Sequence, residues 1–169
     1  TVDFVKAEAA RNPNFVFLAA GTMGGIGLTP ADRAALGTQY VDVGIAEEQA
    51  VAMASGLARG GARPIFGTYS TFFQRVYDQM AQDVAVNNNP AVFLSTYATL
   101  YGMNDVTHLG FFDIPLFANI PNLVFLAPAG LEEYLAVLRW ALAQTAHPVM
   151  IRVPVMGYET SPYPVRTDY

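Results

Sequence analysis

"YVDVGIAEEQAVAMASGLARGGARPIFGTY", Tyr40 to Tyr69, holds two apolar runs separated by a segment of helical period. The spacing predicts a strand over Tyr40–Val43, a helix over Glu47–Arg59 and a strand over Pro64–Tyr69. Gly60–Gly61 ends the helix, because glycine costs nothing in the backbone shapes that close a helical turn. A strand–helix–strand unit of this size argues for parallel strands joined by a crossover helix. Working outward, further strands are expected at Phe15–Ala20, Ala91–Thr96, Leu123–Leu126 and Val149–Val153. Most of these runs are continuously apolar rather than alternating, as in strands covered on both faces. Two more helices are expected near Thr71–Val86 and Leu131–Ala146, stopped by Asn87–Pro90 and His147–Pro148. The expected fold is an α/β, three-layer domain with a mostly parallel central sheet and helices on both faces. Sites in such sheets lie beyond the carboxyl ends of the strands. That directs attention to Gly44–Glu48, Tyr69–Arg75 and Tyr97–Gly110.

Two carboxylates open the helix, and spacing separates them. Four, seven and eleven residues after Glu48 stand Ala52, Ser55 and Arg59, a line that ends in charge and can face water. The same offsets from Glu47 give Val51, Ala54 and Ala58, all apolar. Glu48 therefore reads as a solvated first-turn carboxylate that suits the helix dipole. Glu47 reads as buried. The plain role for a buried first-turn acid is to satisfy free amides at the helix start. The functional alternative is a carboxyl that exchanges a hydrogen bond with a ligand nitrogen, since a protonated carboxyl donates one.

Two more segments carry chemistry. In "TYSTFFQRVYDQMAQD", Phe73, Val76, Tyr77, Met80 and Val84 recur at helical spacing as a core stripe, whereas Phe72 shares a polar line with Arg75, Gln79 and Gln82. Tyr69, Phe72 and Arg75 fall at steps of three beside a strand end, where they could stack on a planar ring and steady a charge. The alternative is an edge-of-core ring and a solvated cation. In "YGMNDVTHLGFFD" the Gly, Asn and Asp signal a loop, and it carries His108, either a satisfied structural residue or, as the loop context favours, a general acid or base. The Gly-rich "GTMGGIGL", Gly21–Leu28, matches neither G-x-G-x-x-G nor a Walker loop and suits a tight strand-to-helix turn.

Composition limits the function classes. The 169 residues are 53% hydrophobic and 14% charged, against about 25% charged in an average soluble domain. The surplus fits a large buried core or a wide apolar face closed by a partner, and the second is the expectation. A formal charge of −5 and a single lysine, Lys6, provide no basic stripe for nucleic acid. The run Phe15–Leu28 is short and Gly-rich, below the roughly 20 residues of a spanning helix. No signal peptide is evident, cysteine is absent, and His108 and His147 lack a ligand-like spacing. A soluble, cytoplasmic protein without a metal site of its own is expected, either complete or a piece of something longer. Residues 1–155 read as the domain and 156–169 as a linker or tail.

Taken together, "DVGIAEEQAVAMASGLA", "YSTFFQRVYDQ" and "THLGFFDI" followed by "IPNLVFLAP" resemble the pyrimidine-binding domain of the transketolase superfamily. Within it the chain is most similar to the 1-deoxy-D-xylulose-5-phosphate synthase branch, over about Phe15 to Pro154. The resemblance implies thiamine diphosphate as cofactor, with Glu47 matching the I-A-E glutamate that bonds N1′ of the aminopyrimidine. It implies that Phe72 stacks on that ring, with Tyr69 and Arg75 beside it, and that His108 contacts substrate. Asn104 stands where the family's D-G-x-T-H loop has its acid, and Gln49 where the synthase has a histidine. Tyr97 and Val155 stand where the synthase has phosphate-gripping arginines, which counts against a phosphosugar. The chain has no G-D-G motif, so magnesium and the diphosphate are expected on a diphosphate-binding domain or subunit. The chain alone is expected to dimerise without turnover. The leading reading is a split or excised transferase of two-carbon units. Its rivals are a β-type subunit of a 2-oxo acid dehydrogenase and a non-catalytic structural or regulatory subunit. A nucleotide-binding module rests on the glycines alone.

Overall fold

The structure, a computed structural model, describes residues 1–99, 107–108 and 110–169. Six strands form one parallel sheet: β1 (Phe15–Ala19), β2 (Tyr40–Asp42), β3 (Arg63–Tyr69), β4 (Val92–Thr96), β5 (Val124–Leu126) and β6 (Val149–Arg152). Their order is β2-β1-β3-β4-β6-β5, and every pairing is parallel. The helices are α1 (Val2–Arg11), α2 (Pro30–Leu36), α3 (Glu47–Arg59), α4 (Tyr77–Gln79, a single turn), α5 (Asp113–Phe117) and α6 (Leu131–Ala143). No helix among the described residues is long and apolar enough to cross a membrane.

The apolar runs are continuous because both faces of the sheet are packed. Phe15, Phe17, Ile65, Val92, Leu94, Val149 and Ile151 meet Val5 of α1, Leu36 of α2 and Tyr134, Val137 and Leu138 of α6. The intervening Leu18, Phe66, Phe93 and Met150 meet Ala50, Val51 and Ala54 of α3, together with Phe73, Met80 and Phe117. The three layers and the parallel sheet expected from the sequence are those observed. The strand order turns back between β1 and β3, and sites in such sheets form outside the carboxyl ends at that point.

The helix expected over Thr71–Val86 is a composite. It runs as a 3-10 segment over Ser70–Val76, the α4 turn and a π segment over Met80–Ala85. Around the wide turns, side chains take over backbone bonding. The Asp83 carbonyl accepts from Ser55 Oγ at 2.6 Å and from Asn87 Nδ2 at 3.0 Å, while Asn89 Nδ2 donates to Ser55 Oγ at 2.7 Å. Ser55 is therefore buried rather than water-facing. Tyr77 leaves the expected core stripe and lies 38% exposed, its hydroxyl donating to Asn119 at 2.8 Å. Helix α6 stops at Ala143 rather than Ala146. The Gln144 side chain folds back there, donating to Ala141 and accepting from the amides of Ala146 and His147. Helices α1, α2 and α5 were not expected, although "TPAD" before α2 spells a capping box with proline in the first turn, as observed.

Ser55→Ala leaves the Asn89 amide and the Asp83 carbonyl each short of a buried partner. A loss of about 1–3 kcal/mol in unfolding free energy, read by urea titration, is expected.

Candidate functional site

Asp42, the last residue of β2, builds the turn that delivers the first acid. Its Oδ1 accepts from the amides of Gly21 at 2.9 Å and Gly44 at 3.0 Å, tying the end of β1 to the loop before α3. Both glycines have positive φ, +68° and +72°, where a side chain would be strained. Helix α3 then starts at Glu47 itself, with Ala46 at the cap and no side-chain cap bond. Glu47 is 2% exposed and Glu48 is exposed, so the separation read from their spacing is the one observed.

Burying a carboxylate without a counter-charge costs several kcal/mol, so its partner defines the site. Arg75 Nη1 donates to Glu47 Oε2 at 3.2 Å from a side chain that is 49% exposed. Its guanidinium carbon also lies over the Phe72 ring, 5.9 Å from the centroid. Water reaches this arginine and screens the pair from that side.

Rings continue the wall. Tyr69, the last residue of β3, lies 5.4 Å from Phe72 and 4.4 Å from Tyr97, centroid to centroid. His108 meets both Tyr69 and Phe72 edge-on, at 5.7 and 5.3 Å. Its Nδ1 shares a hydrogen bond with Thr107 Oγ1 at 2.8 Å. The 3-10 geometry after β3 thus keeps Tyr69, Phe72 and Arg75 on one side, as steps of three require. Burial, with a smaller contribution from Tyr97, pushes the Tyr69 phenol above its usual range. Tyr69 therefore stays protonated at neutral pH and remains a donor. The structure brings Glu47, Tyr69, Phe72, Arg75 and His108 into one cluster. Asn104 lies outside the described residues.

Three features here escaped the sequence reading. An ideal Cβ on Gly25 would sit 2.0 Å from the Tyr69 ring, so the Gly-rich loop is the bed on which that ring lies. Tyr97, directly after β4, has φ +57°, a left-handed backbone that costs a non-glycine residue about 1–2 kcal/mol. Its carbonyl would lie 2.1 Å from a Cβ on Gly110, so the two ends of the His108 segment touch. Arg152 at the end of β6 clasps those ends. Its Nε and Nη2 donate to the two oxygens of Asp113, at 2.6 and 3.2 Å, and Nη2 also donates to the Ala98 carbonyl at 3.0 Å. The arginine two residues before Pro154 was the available signal for this clasp.

A cavity of about 260 Å³ opens beside the wall, lined in part by Gly25, Tyr97, Val153, Val155 and Met156. Among the described residues, none of its lining side chains is charged. Among the described residues, no group of three or more His, Asp or Glu side chains is placed to hold a metal ion.

A buried acid beside an aromatic face, at the end of a parallel sheet, matches a known domain. The family model for the transketolase pyrimidine-binding domain fits residues 3–160. The chain belongs to that family. This transketolase pyrimidine-binding domain is 41% identical over 146 residues to the 1-deoxy-D-xylulose-5-phosphate synthase of Clostridium tetani. It is 42% identical over 146 residues to that of Thermomicrobium roseum. Each match covers 86% of this chain and 23% of the relative, so the chain spans less than a quarter of those proteins. An inactive beta4 tetramer of split-gene transketolase superposes with a TM-score of 0.76 at 20% identity, covering 98% of this chain and 52% of that one. Transketolase from Leishmania mexicana superposes at 0.80 with 17% identity, covering 94% of this chain and 25% of its own. At these identities the two structures share the fold.

Arg152→Met leaves the fully buried Asp113 carboxylate without its counter-charge. A destabilisation of about 3–5 kcal/mol, measured by chemical denaturation, is expected. A loss below about 1 kcal/mol would show that the clasp contributes little to the fold.

Proposed function

We propose that this domain holds the aminopyrimidine ring of thiamine diphosphate and, joined to a domain or subunit that binds magnesium and the diphosphate, transfers two-carbon ketol or acyl units. The observation that carries the reading is a glutamate, 2% exposed, bonded by the same Arg75 guanidinium that lies over the Phe72 ring. A flat heterocycle with a basic nitrogen needs that pairing: an acid at its edge and an aromatic face beneath it.

In this reading the Glu47 carboxyl shares its proton with the ring nitrogen N1′, and helix α3 fixes where that carboxyl sits. Phe72 stacks on the ring, while Tyr69, wedged between Phe72 and Tyr97, keeps Phe72 in place. Thiamine diphosphate, when bound, would supply a nucleophilic carbon and, in its cationic thiazolium ring, an electron sink, neither of which this side-chain set has. His108 stands with its ring edge to Phe72 and Tyr69, where an imidazole can move a proton to or from a substrate hydroxyl or carbonyl. Asn104, in the same loop, is its proposed companion toward substrate.

The neutral cavity beside Tyr97 suits the carbon skeleton of an unphosphorylated ketose, aldehyde or 2-oxo acid. Among the described residues, no lining side chain would give a phosphate a charge-assisted bond there. We place the reaction in the cytoplasm and the chain in a dimer or hetero-oligomer, with residues 156–169 leading toward a further domain. The chain alone is expected to be inactive, because nothing proposed for it grips the diphosphate.

Two measurements test this. With the diphosphate-binding partner, magnesium and thiamine diphosphate, exchange of the C2 proton for deuterium should be slower by about 10²–10⁴ in Glu47→Gln than in wild type. Equal rates would remove the role given to Glu47. In a turnover assay, an unphosphorylated acceptor should outperform its phosphate monoester. The opposite preference would count against the neutral cavity as the substrate site.

A further inference from the structure

The cavity beside Tyr97 has one wall that the sheet holds and one that it does not. Val153 is bonded into the sheet, its amide donating to the Ser95 carbonyl at 2.8 Å and its carbonyl accepting from Ala98 at 3.0 Å. The four residues that follow, Pro154 to Gly157, make a turn closed by the Gly157 amide on the Pro154 carbonyl at 2.9 Å. Val155 and Met156 of this turn line the cavity. Met156 is 75% exposed, so packing does little to hold it. Tyr158 fastens the turn from its far side. Strand β5 pairs no further than Leu126 with Ile151, which leaves the Arg152 carbonyl past that ladder, and the Tyr158 phenol donates to it. The Tyr158 ring stacks on Tyr134 of α6, with centroids 4.7 Å apart and planes 29° from parallel. Tyr134 is buried and shares a 2.8 Å hydrogen bond with Thr1, which lines the same cavity.

We propose that Tyr158 is a positioning residue for substrate choice: by bonding the Arg152 carbonyl and stacking on Tyr134, it holds the Pro154–Gly157 turn at a set distance from Tyr97 and so decides which carbon chains the cavity takes. This rests on the reading of that cavity as the substrate site. A wall discriminates by size only if it does not yield, because an added methylene must then find room or clash. The phenol closes Arg152 to Tyr158 into one ring of backbone, with the lining residues Val153 to Gly157 inside it. Burial pushes that phenol well above its usual range, so it remains a donor at neutral pH. The residues beyond are fastened separately to the first turn of α6. The Glu159 carbonyl accepts from the Leu131 amide at 2.9 Å, and the Ser161 amide donates to Glu132 at 3.2 Å. Loss of the phenol bond therefore loosens the turn and leaves the segment attached.

The test is a length series on the assembled protein, this chain with its diphosphate-binding partner, magnesium and thiamine diphosphate. Initial rates are measured with unphosphorylated straight-chain 2-oxo acids and 2-ketoses of three to six carbons, for wild type, Tyr158→Phe and Tyr158→Leu. The phenylalanine keeps the stack and loses the bond; the leucine loses both. Wild type should prefer one length. The ratio of kcat/KM for that substrate to kcat/KM for the next longer one should fall about two- to tenfold in Tyr158→Phe, the factor that one neutral hydrogen bond supports. It should fall further in Tyr158→Leu, with the change carried by KM. Exchange of the C2 proton, which involves no substrate, should match wild type. An unchanged ratio in both variants would overturn the proposal, as would an equal loss of kcat/KM at every length or a matching loss of C2 exchange, since each would leave Tyr158 a merely structural residue. Wild type that turns over none of the series, or shows no preference for length, would overturn the reading of the cavity and the proposal with it.

Discussion

The site depends on one electrostatic constraint: a carboxylate at the start of α3 that is out of water and must have a partner. Everything nearby can be understood as a means of placing that acid and of limiting what may approach it. Asp42 anchors the turn before it, through the amides of Gly21 and Gly44. The apolar face of α3 presses against the sheet through Ala50, Val51 and Ala54, which fixes the rotation of the helix about its axis. Residues of little volume at those points let the helix lie close to the strands, and the acid therefore faces inward. A rotation of a third of a turn would give Glu48 the same fate and leave Glu47 in solvent, since successive helical residues lie about 100° apart.

The fold was largely legible because its parallel strands are buried on both faces. That condition writes unbroken apolar runs into the sequence, and all six strands lie within the expected runs to a residue or so. The helix opening at Glu47 was legible down to the orientation of its two acids. The segment after Tyr69 was legible only in its burial. Phe73, Val76, Met80 and Val84 do face the core, but the 3.6-residue period that identified them cannot distinguish α turns from 3-10 and π turns. Ser55, which comes from helix α3, supplies a bond that makes the wider turns tolerable, and Asn89, just beyond the segment, bonds to it. No local pattern announces such a contact.

The same distinction applies to the site. Tyr69, Phe72 and Arg75 were found because they share one side of a short segment. His108 was found because a histidine in a Gly- and Asp-rich loop is conspicuous. The clasp of Arg152 on Asp113 and Ala98 was not, since its partners lie 39 and 54 residues away in the chain. Tyr97 was seen as a residue type and not as a strained backbone. A left-handed tyrosine has no signature in sequence, and its carbonyl packs here against a glycine thirteen positions later. Local chemistry thus named the groups that would touch a ligand, and long-range contacts supplied the means of holding them there.

The two outermost strands, β2 and β5, have three residues each. Each therefore offers a ladder of only about 10 Å to an incoming chain, too short a template for joining sheets edge to edge. Assembly of this domain with copies of itself or with other chains is thereby steered away from backbone pairing and onto its helices and loops. The carboxyl ends of the strands, where the buried acid lies, are consequently a surface on which a neighbour can settle without disturbing the sheet.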